Sequence, residues 1–234
     1  MNFKISKRLE TIGKNINKNE IIADIGTDHA LVPIFLFLNQ ITNSIYATDV
    51  CQGPLDQAQK NIDKFLEPNS SIILIKEFGL KWLKNINIDT CVIAGMGANT
   101  ILEILKDNNR KINRFILNAN NQSYKLRKWS VENGYLIEKE MLIKENNLIY
   151  EIIILNKQFG EEIKSDYQIY MGLKLAQNYP DLYIEKNQQI IQKMEFTLKK
   201  MNAKISNYKK IENELIKIKK YYLEGLNSEI KRSD

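Results

Sequence analysis

The sequence predicts an α/β protein: a doubly wound sheet of five parallel strand–helix units, closed by an antiparallel hairpin and followed by a helical region. Three observations carry this. From residue 3 to 155, apolar strand-like runs alternate with amphipathic helical stretches, the pattern of a parallel sheet with right-handed crossovers. Two strand runs then follow with only Asn146 and Asn147 between them, the chemistry of a tight hairpin turn. Beyond residue 156 no strand signal remains, and apolar residues recur at helical steps.

Taken in order, "FKISKRLETIGKNI" places Ile5, Leu9, Ile12 and Ile16 at helical spacing, with Gly13 predicting early fraying. "EIIADIG" is a buried strand, and "PIFLFLNQ" the helix after it, with Pro33 in its first turn. "SIYATDV" is the second strand and "GPLDQAQKNIDKFL" its helix, with Pro54 near the start. "SIILIKEF" makes a third strand and "TCVIAG" a fourth, the latter followed by the helix "NTILEILKDN". "RFILNA" is the fifth, and "SYKLRKWSVENG" a helix ending at Gly134 as its C′ residue. "YLIEKEMLIKE" and "LIYEIIIL" form the hairpin. A dinucleotide-binding dehydrogenase sheet ends on another parallel strand, whereas S-adenosylmethionine-dependent methyltransferases end on a hairpin. The hairpin tilts the expectation toward a Rossmann-like sheet of the methyltransferase kind over residues 1–156, with a helical, coiled-coil-like domain over residues 157–234.

In that second part, "EEIKSDYQIYMGLKLAQNY" reads as one helix closed off by Pro180. Ile184, Ile191, Met194, Leu198, Met201, Ile205 and Tyr208 then recur at steps of three and four, with Asn187 filling one seam position. The seam restarts out of phase through Ile211, Leu215, Ile218 and Tyr222. A slip near residues 203–208 predicts a stammer or a turn, and two antiparallel helices packed on each other are the expected outcome. The seam can close on its own chain or on a second copy, so a monomer and a weak homodimer both stay open.

Bulk properties narrow the partners. The formal net charge is +6 with a pI near 9.0, and residues 156–234 carry 15 Lys and Arg against 11 Asp and Glu. That balance points to an anionic partner, with nucleic acid the prime candidate, although a composition rich in Lys, Ile and Asn raises the pI by itself. Two cysteines, Cys51 and Cys91, give neither a disulfide framework nor a metal-ligand spacing. A single histidine excludes a histidine-based zinc site. No apolar run is long enough to span a bilayer, and "MNFKISKRLE" lacks the apolar centre of a signal peptide. A reduced, cytoplasmic protein without metal is expected.

Ligands of such a sheet bind beyond the carboxyl ends of its strands. The residues there are Asp24–Ala30, Asp49–Val50, Glu77–Gly79 and Gly95–Ala98. Asp49 falls 23 residues after Gly26, where an acid accepts hydrogen bonds from the ribose hydroxyls shared by NAD and S-adenosylmethionine. The first loop, "IADIGTDHALVPIF", separates these two. Glycines there let backbone amides cradle a pyrophosphate, but the second glycine position holds Asp28, which repels phosphate. S-adenosylmethionine has none; it presents an ammonium and a sulfonium, which carboxylates favour.

"SKRLETI", "IADIGTDHALVPIFL", "DVCQGPLDQAQKNI", "VIAGMG", "SYKLRKW" with "NGY", and "YEIIIL" occur in this order. In that order they resemble the bacterial tRNA (adenine(22)-N1)-methyltransferases, which join a class I methyltransferase domain to a C-terminal coiled coil. The motifs cover residues 5 to about 155 and the rest by architecture. The resemblance implies S-adenosylmethionine as cofactor and tRNA as substrate. It places Gly26, Asp28 and His29 at the methionine end of the cofactor and Asp49 at the ribose. Gly95, Met96 and Gly97 would form the loop between cofactor and target base, with Arg8 at the mouth of the site. Asp24, Val50, Glu77, Phe78 and Gly79 complete the expected cofactor contacts. Three departures stand out: "EFGL" where the family resembles "GDGL", so Phe78 replaces an acid; "GMGA" for "GMGG"; and Asn118-Ala119-Asn120 for "QPN".

Adenine N1 has an in-plane lone pair and needs no prior deprotonation, so catalysis reduces to in-line positioning. His29 then has no work as a general base; it is a cofactor contact or a bystander. No "DPPY" or "NPPY" follows the fourth strand, which argues against methylation of the exocyclic amine. An asparagine amide can pair with adenine N6 and N7, with Asn120 the first candidate and Asn118 the second; the alternative for both is capping of the next helix. Lys125, Arg127 and Lys128 lie on that helix and are candidates for tRNA phosphates, or simply a solvated face. Two other readings stand beside this one: a non-catalytic RNA-binding adaptor, motivated by Phe78, and a nicotinamide-dependent oxidoreductase, opposed by Asp28 and the hairpin.

Overall fold

In the computed structural model, which describes residues 3–68, 70–83, 86–107, 112–202 and 207–230, seven strands form one mixed sheet. They are β1 (Ile22–Ile25), β2 (Ile45–Asp49), β3 (Ile72–Lys76), β4 (Thr90–Met96), β5 (Arg114–Ala119), β6 (Leu136–Glu145) and β7 (Leu148–Asn156), in the order β3-β2-β1-β4-β5-β7-β6. The first five pair in parallel. β7 inserts antiparallel beside β5, and β6 pairs back on β7. The expected hairpin is therefore present, and Asn146 and Asn147 both adopt positive φ, 49° and 62°, as a two-residue turn of matching twist requires.

The helices are α1 (Lys7–Lys14), α2 (Leu31–Leu38), α3 (Gln52–Phe65), α4 (Ala98–Leu105), α5 (Tyr124–Glu132), α6 (Asp166–Met171), α7 (Leu175–Asn178), α8 (Pro180–Lys200) and α9 (Tyr208–Ile230). Alternation along the central strands explains the layers, because successive side chains leave opposite faces. Ala23, Ile25, Cys91, Ile93, Phe115 and Leu117 pack with Ile101, Leu105 and Leu126 of α4 and α5. Their neighbours Ile22, Val92 and Ile116 pack with Ile12, Phe35 and Leu36 of α1 and α2. With both faces covered, the strands read as continuous apolar runs rather than alternating ones.

α1 ends at Lys14, one residue after Gly13, which is buried where a side chain would collide with the Phe35 ring. Three local expectations change. The third strand is followed by a single 3-10 turn (Lys81–Leu83) rather than a full helix, with the Trp82 indole donating to the Gly79 carbonyl at 3.0 Å. Strand pairing continues past residue 156, since Glu161 bridges Ile137 through two backbone hydrogen bonds. The stretch read as one helix before Pro180 is two, broken at Gly172 (φ 86°).

Pro180 instead opens α8 as its first residue. α8 and α9 pack on each other within the chain: Tyr183, early in α8, meets Tyr222, late in α9, at 6.2 Å between rings. Leu142 of β6 joins Met171, Leu175, Tyr183, Ile218 and Tyr222 in the core beneath them. Asn187 is buried in the seam and donates to the Tyr183 carbonyl of its own helix at 2.8 Å. Of the expected phase slip near residues 203–208, residues 203–206, with Ile205 among them, lie outside the described residues, and α9 begins at Tyr208.

Candidate active site

The carboxyl ends of β1, β2, β4 and β5 converge at the centre of the sheet, where the strand order reverses between β1 and β4. Asp24 is buried at the end of β1 and accepts a hydrogen bond from the Thr27 hydroxyl at 2.7 Å. Burial pushes its carboxyl up to about 6; the Thr27 hydrogen bond opposes this and the nearby Asp49 carboxylate adds to it. The loop after it turns through positive φ at Gly26 (73°), Asp28 (52°) and Ala30 (54°). Three of its amides are committed inside the fold: those of Gly26 and Thr27 both donate to the Thr48 carbonyl at 2.8 Å, and that of Ala30 to the Thr27 carbonyl at 3.0 Å. These three are not offered to a phosphate. A side chain at Gly26 would strike the terminal methyl of Met96, so the β1 and β4 loops touch.

Around this loop stand three further carboxylates. Asp28 and His29 are exposed and lie 3.4 Å apart, and the His29 carbonyl accepts from Asn61 at 2.9 Å. Asp49, at the end of β2, accepts from the Cys51 amide at 3.0 Å, and its carbonyl takes the Glu77 amide at 3.1 Å. Glu77 is itself exposed. Val50 and Phe78 are also strongly exposed, at 50% and 44%, and Gly79 follows at φ 65°. This set of carboxylate acceptors and apolar faces suits a ligand with a cationic end, ribose hydroxyls and an apolar ring; it does not suit a pyrophosphate.

On the other side, β4 bulges at Gly95 (φ 80°), where its register with β5 shifts. The Asn120 side chain donates to the Gly95 carbonyl at 2.7 Å, and its backbone amide to Met96 at 2.8 Å. Asn120 is exposed and tethers the two loops rather than capping α5. Gly97 caps α4. Arg8 of α1 reaches this point: its guanidinium lies over the Tyr150 ring at 4.9 Å and donates to Asn118 Oδ1 at 2.7 Å. It is not a solvated helix-face charge.

Two expected site residues are misplaced. Asn118 is fully buried; its Oδ1 takes Arg8 and its Nδ2 donates to the Glu151 carbonyl at 2.8 Å. Its amide is spent and has nothing to offer a base. Arg127 is likewise buried, ion-paired with Glu140 and Glu151, so it does not face a polyanion. Lys128 is exposed with Glu132 3.9 Å away, and Lys125 donates to Asn99 at 2.7 Å. Tyr150 and Glu151, the residues that seat Arg8 and Asn118, escaped the sequence reading although both lie in "YEIIIL".

Among the described residues no helix is long and apolar enough to cross a membrane, and no three His, Cys, Asp or Glu side chains converge as metal ligands.

The comparisons with known proteins meet this geometry. A methyltransferase domain family model matches residues 5–153. The chain is 29% identical over 194 residues to tRNA (adenine(22)-N(1))-methyltransferase of Bacillus subtilis, covering 82% of this chain and 80% of that one. The structure of TrmK from M. capricolum, in complex with the natural cofactor product S-adenosyl-homocysteine, is 38% identical, with 93% and 97% covered and a TM-score of 0.80. The chain belongs to the tRNA (adenine(22)-N1)-methyltransferase family. A family likeness also extends to a Streptococcus pneumoniae protein solved with S-adenosyl-L-methionine, at 27% identity, 94% and 100% coverage and a TM-score of 0.79. The family model ends within β7, whereas the two structural matches cover 93% and 94% of this chain, so the likeness in structure includes the C-terminal helices.

Proposed function

We propose that this chain is a tRNA (adenine-N1)-methyltransferase acting on adenine 22, with S-adenosylmethionine as methyl donor. The observation that carries the reading is a carboxylate-rich loop after β1, with the amides of Gly26, Thr27 and Ala30 already committed, facing Asn120 and Arg8 across Met96. The cofactor supplies an electrophilic methyl on a sulfonium. Asp24, Asp28 and His29 hold its amino-acid end beside Gly26, and Asp49 holds the ribose. Val50, Phe78 and Gly79 flank the adenine ring, with Glu77 at its edge, so Phe78 replaces a hydrogen-bonding acid with a stacking face. Gly95, Met96 and Gly97 separate this cofactor from the target base.

Asn120 keeps its Nδ2 on Gly95 and offers Oδ1 to the amino group of the target adenine, leaving N1 free. No residue has to remove a proton before N1 attacks. Arg8, held by Asn118 and Tyr150, meets the phosphate of the target nucleotide. A paired adenine must leave its stack to reach this point. Residues 1–156 form the catalytic domain and residues 157–234 a helical domain that holds tRNA with Lys125 and Lys128, in the cytoplasm. Purified protein with labelled S-adenosylmethionine and unmodified tRNA should yield 1-methyladenosine. Binding of neither S-adenosylmethionine nor NADH would favour the adaptor reading, and binding of NADH the oxidoreductase.

A further inference from the structure

Between the carboxyl end of β5 and helices α8 and α9 lies a cleft of 480 Å³, within the roughly 300–1,000 Å³ range of small-ligand sites. It begins at Asn120, which the target pocket shares, and continues along Asn121 and Tyr124 on one wall and Ile190 and Met194 on the other. Tyr124 is fixed in two ways. Its ring stacks on Tyr170 at 4.8 Å and 12°, and Tyr170 stacks in turn on Tyr221 at 5.3 Å. Its hydroxyl is hydrogen-bonded to Glu214 of α9, to which Gln122 also donates at 3.2 Å.

An immobilised aromatic ring beside amide side chains is suited to a nucleobase. Stacking tolerates any base, while amides read base edges. Ordering Tyr124 beforehand removes the cost of immobilising it on binding. Lys193, exposed on the α8 wall, supplies a cation for the attached phosphate. The covalent RNA chain supplies the occupant: a strand whose adenine sits at Asn120 carries its next nucleotide one step away, toward the cleft. We propose that this cleft receives the nucleotide adjoining the target adenine and stacks its base at the end of the Tyr221–Tyr170–Tyr124 column. This rests on the tRNA reading above. The cleft replaces stacking that the RNA loses when the target adenine is extruded.

Equilibrium binding of unmodified tRNA tests this apart from catalysis. Dissociation constants are measured for intact transcript and for two transcripts made abasic on one or the other side of the target. Wild-type protein should lose on the order of tenfold in affinity for one abasic transcript. Tyr124→Leu should lose a similar factor with intact tRNA and show no further loss with that same transcript. Ile190→Trp, which fills the cleft from α8, should behave as Tyr124→Leu does, and unchanged S-adenosylmethionine affinity reports that each variant is folded. Equal affinity of wild type for all three transcripts overturns the proposal, as do losses from variant and abasic site that multiply independently. Formation of 1-methyladenosine from intact tRNA is scored separately, so a failure of the cleft and a failure of the methyltransferase reading give different results.

Discussion

Replacing Arg127 by Met distinguishes a buried structural cation from an RNA contact. The side chain is fully buried between Glu140 and Glu151. Glu140 also accepts from the Leu173 amide at 2.7 Å, and Glu151 from Lys186 of α8. The four side chains sum to zero charge; without Arg127 two carboxylates face one lysine. Removing one partner of a buried ion pair costs about 3–5 kcal/mol. In a chain of this length that corresponds to a fall of roughly 6–20 °C in melting temperature. The pH dependence sharpens the test. Burial raises the Glu151 carboxyl, but Arg127 and then Lys186 outweigh it and hold it below the ordinary range. A depressed carboxyl contributes stability above its unfolded pKa and loses it as pH falls through the folded one. In Arg127→Met only Lys186 still opposes the desolvation of Glu151, so that carboxyl rises and protonates more readily. The deficit against wild type should therefore be largest near about pH 8 and shrink toward about pH 5. Urea unfolding followed by circular dichroism at both pH values measures it. A deficit below about 1 kcal/mol, the scale of an exposed pair, or one equal at both pH values, would refute the buried-network account.

Three further outcomes are expected. Asp24, raised to about 6, should make S-adenosylmethionine affinity fall as pH drops through that value, while the ligand-free protein gains stability over the same range because its folded state takes up the proton first. Asp24→Asn should remove both dependences, as read by calorimetric titration and unfolding between about pH 4 and 8. Asn118→Leu frees Arg8 from its 2.7 Å anchor; it should lower kcat about tenfold or more with cofactor affinity unchanged, and a loss of cofactor affinity alone would count against this role. Lys125→Ala and Lys128→Ala should each flatten the salt dependence of tRNA binding by somewhat under one unit of log–log slope, with no change in melting temperature.

Much of this was legible in the sequence because the signals are local. Strands buried on both faces appear as apolar runs, Asn146-Asn147 marks its own turn, and Asp24, Gly26, Asp49 and Gly95 stand at strand ends where ligands bind. What escaped depends on partners far along the chain. Arg127 looks like one of three exposed basic residues on a helix until Glu151, 24 positions away, buries it. Asn118 looks like a base reader until Glu151, 33 positions on, takes its amide. The missing third helix has a nearer cause: Trp82 folds back on Gly79, so the chain completes a single tight turn. Gly172 breaks a periodic stretch that otherwise reads as continuous helix, and only its positive φ identifies the break.

The most direct test of the central claim compares two unmodified transcripts that differ only in adenine or guanine at position 22. Each is incubated with labelled S-adenosylmethionine and digested to nucleosides. The account predicts 1-methyladenosine from the first and none from the second. Equal labelling of both would contradict the assigned position, and label in any nucleoside other than 1-methyladenosine would contradict the chemistry.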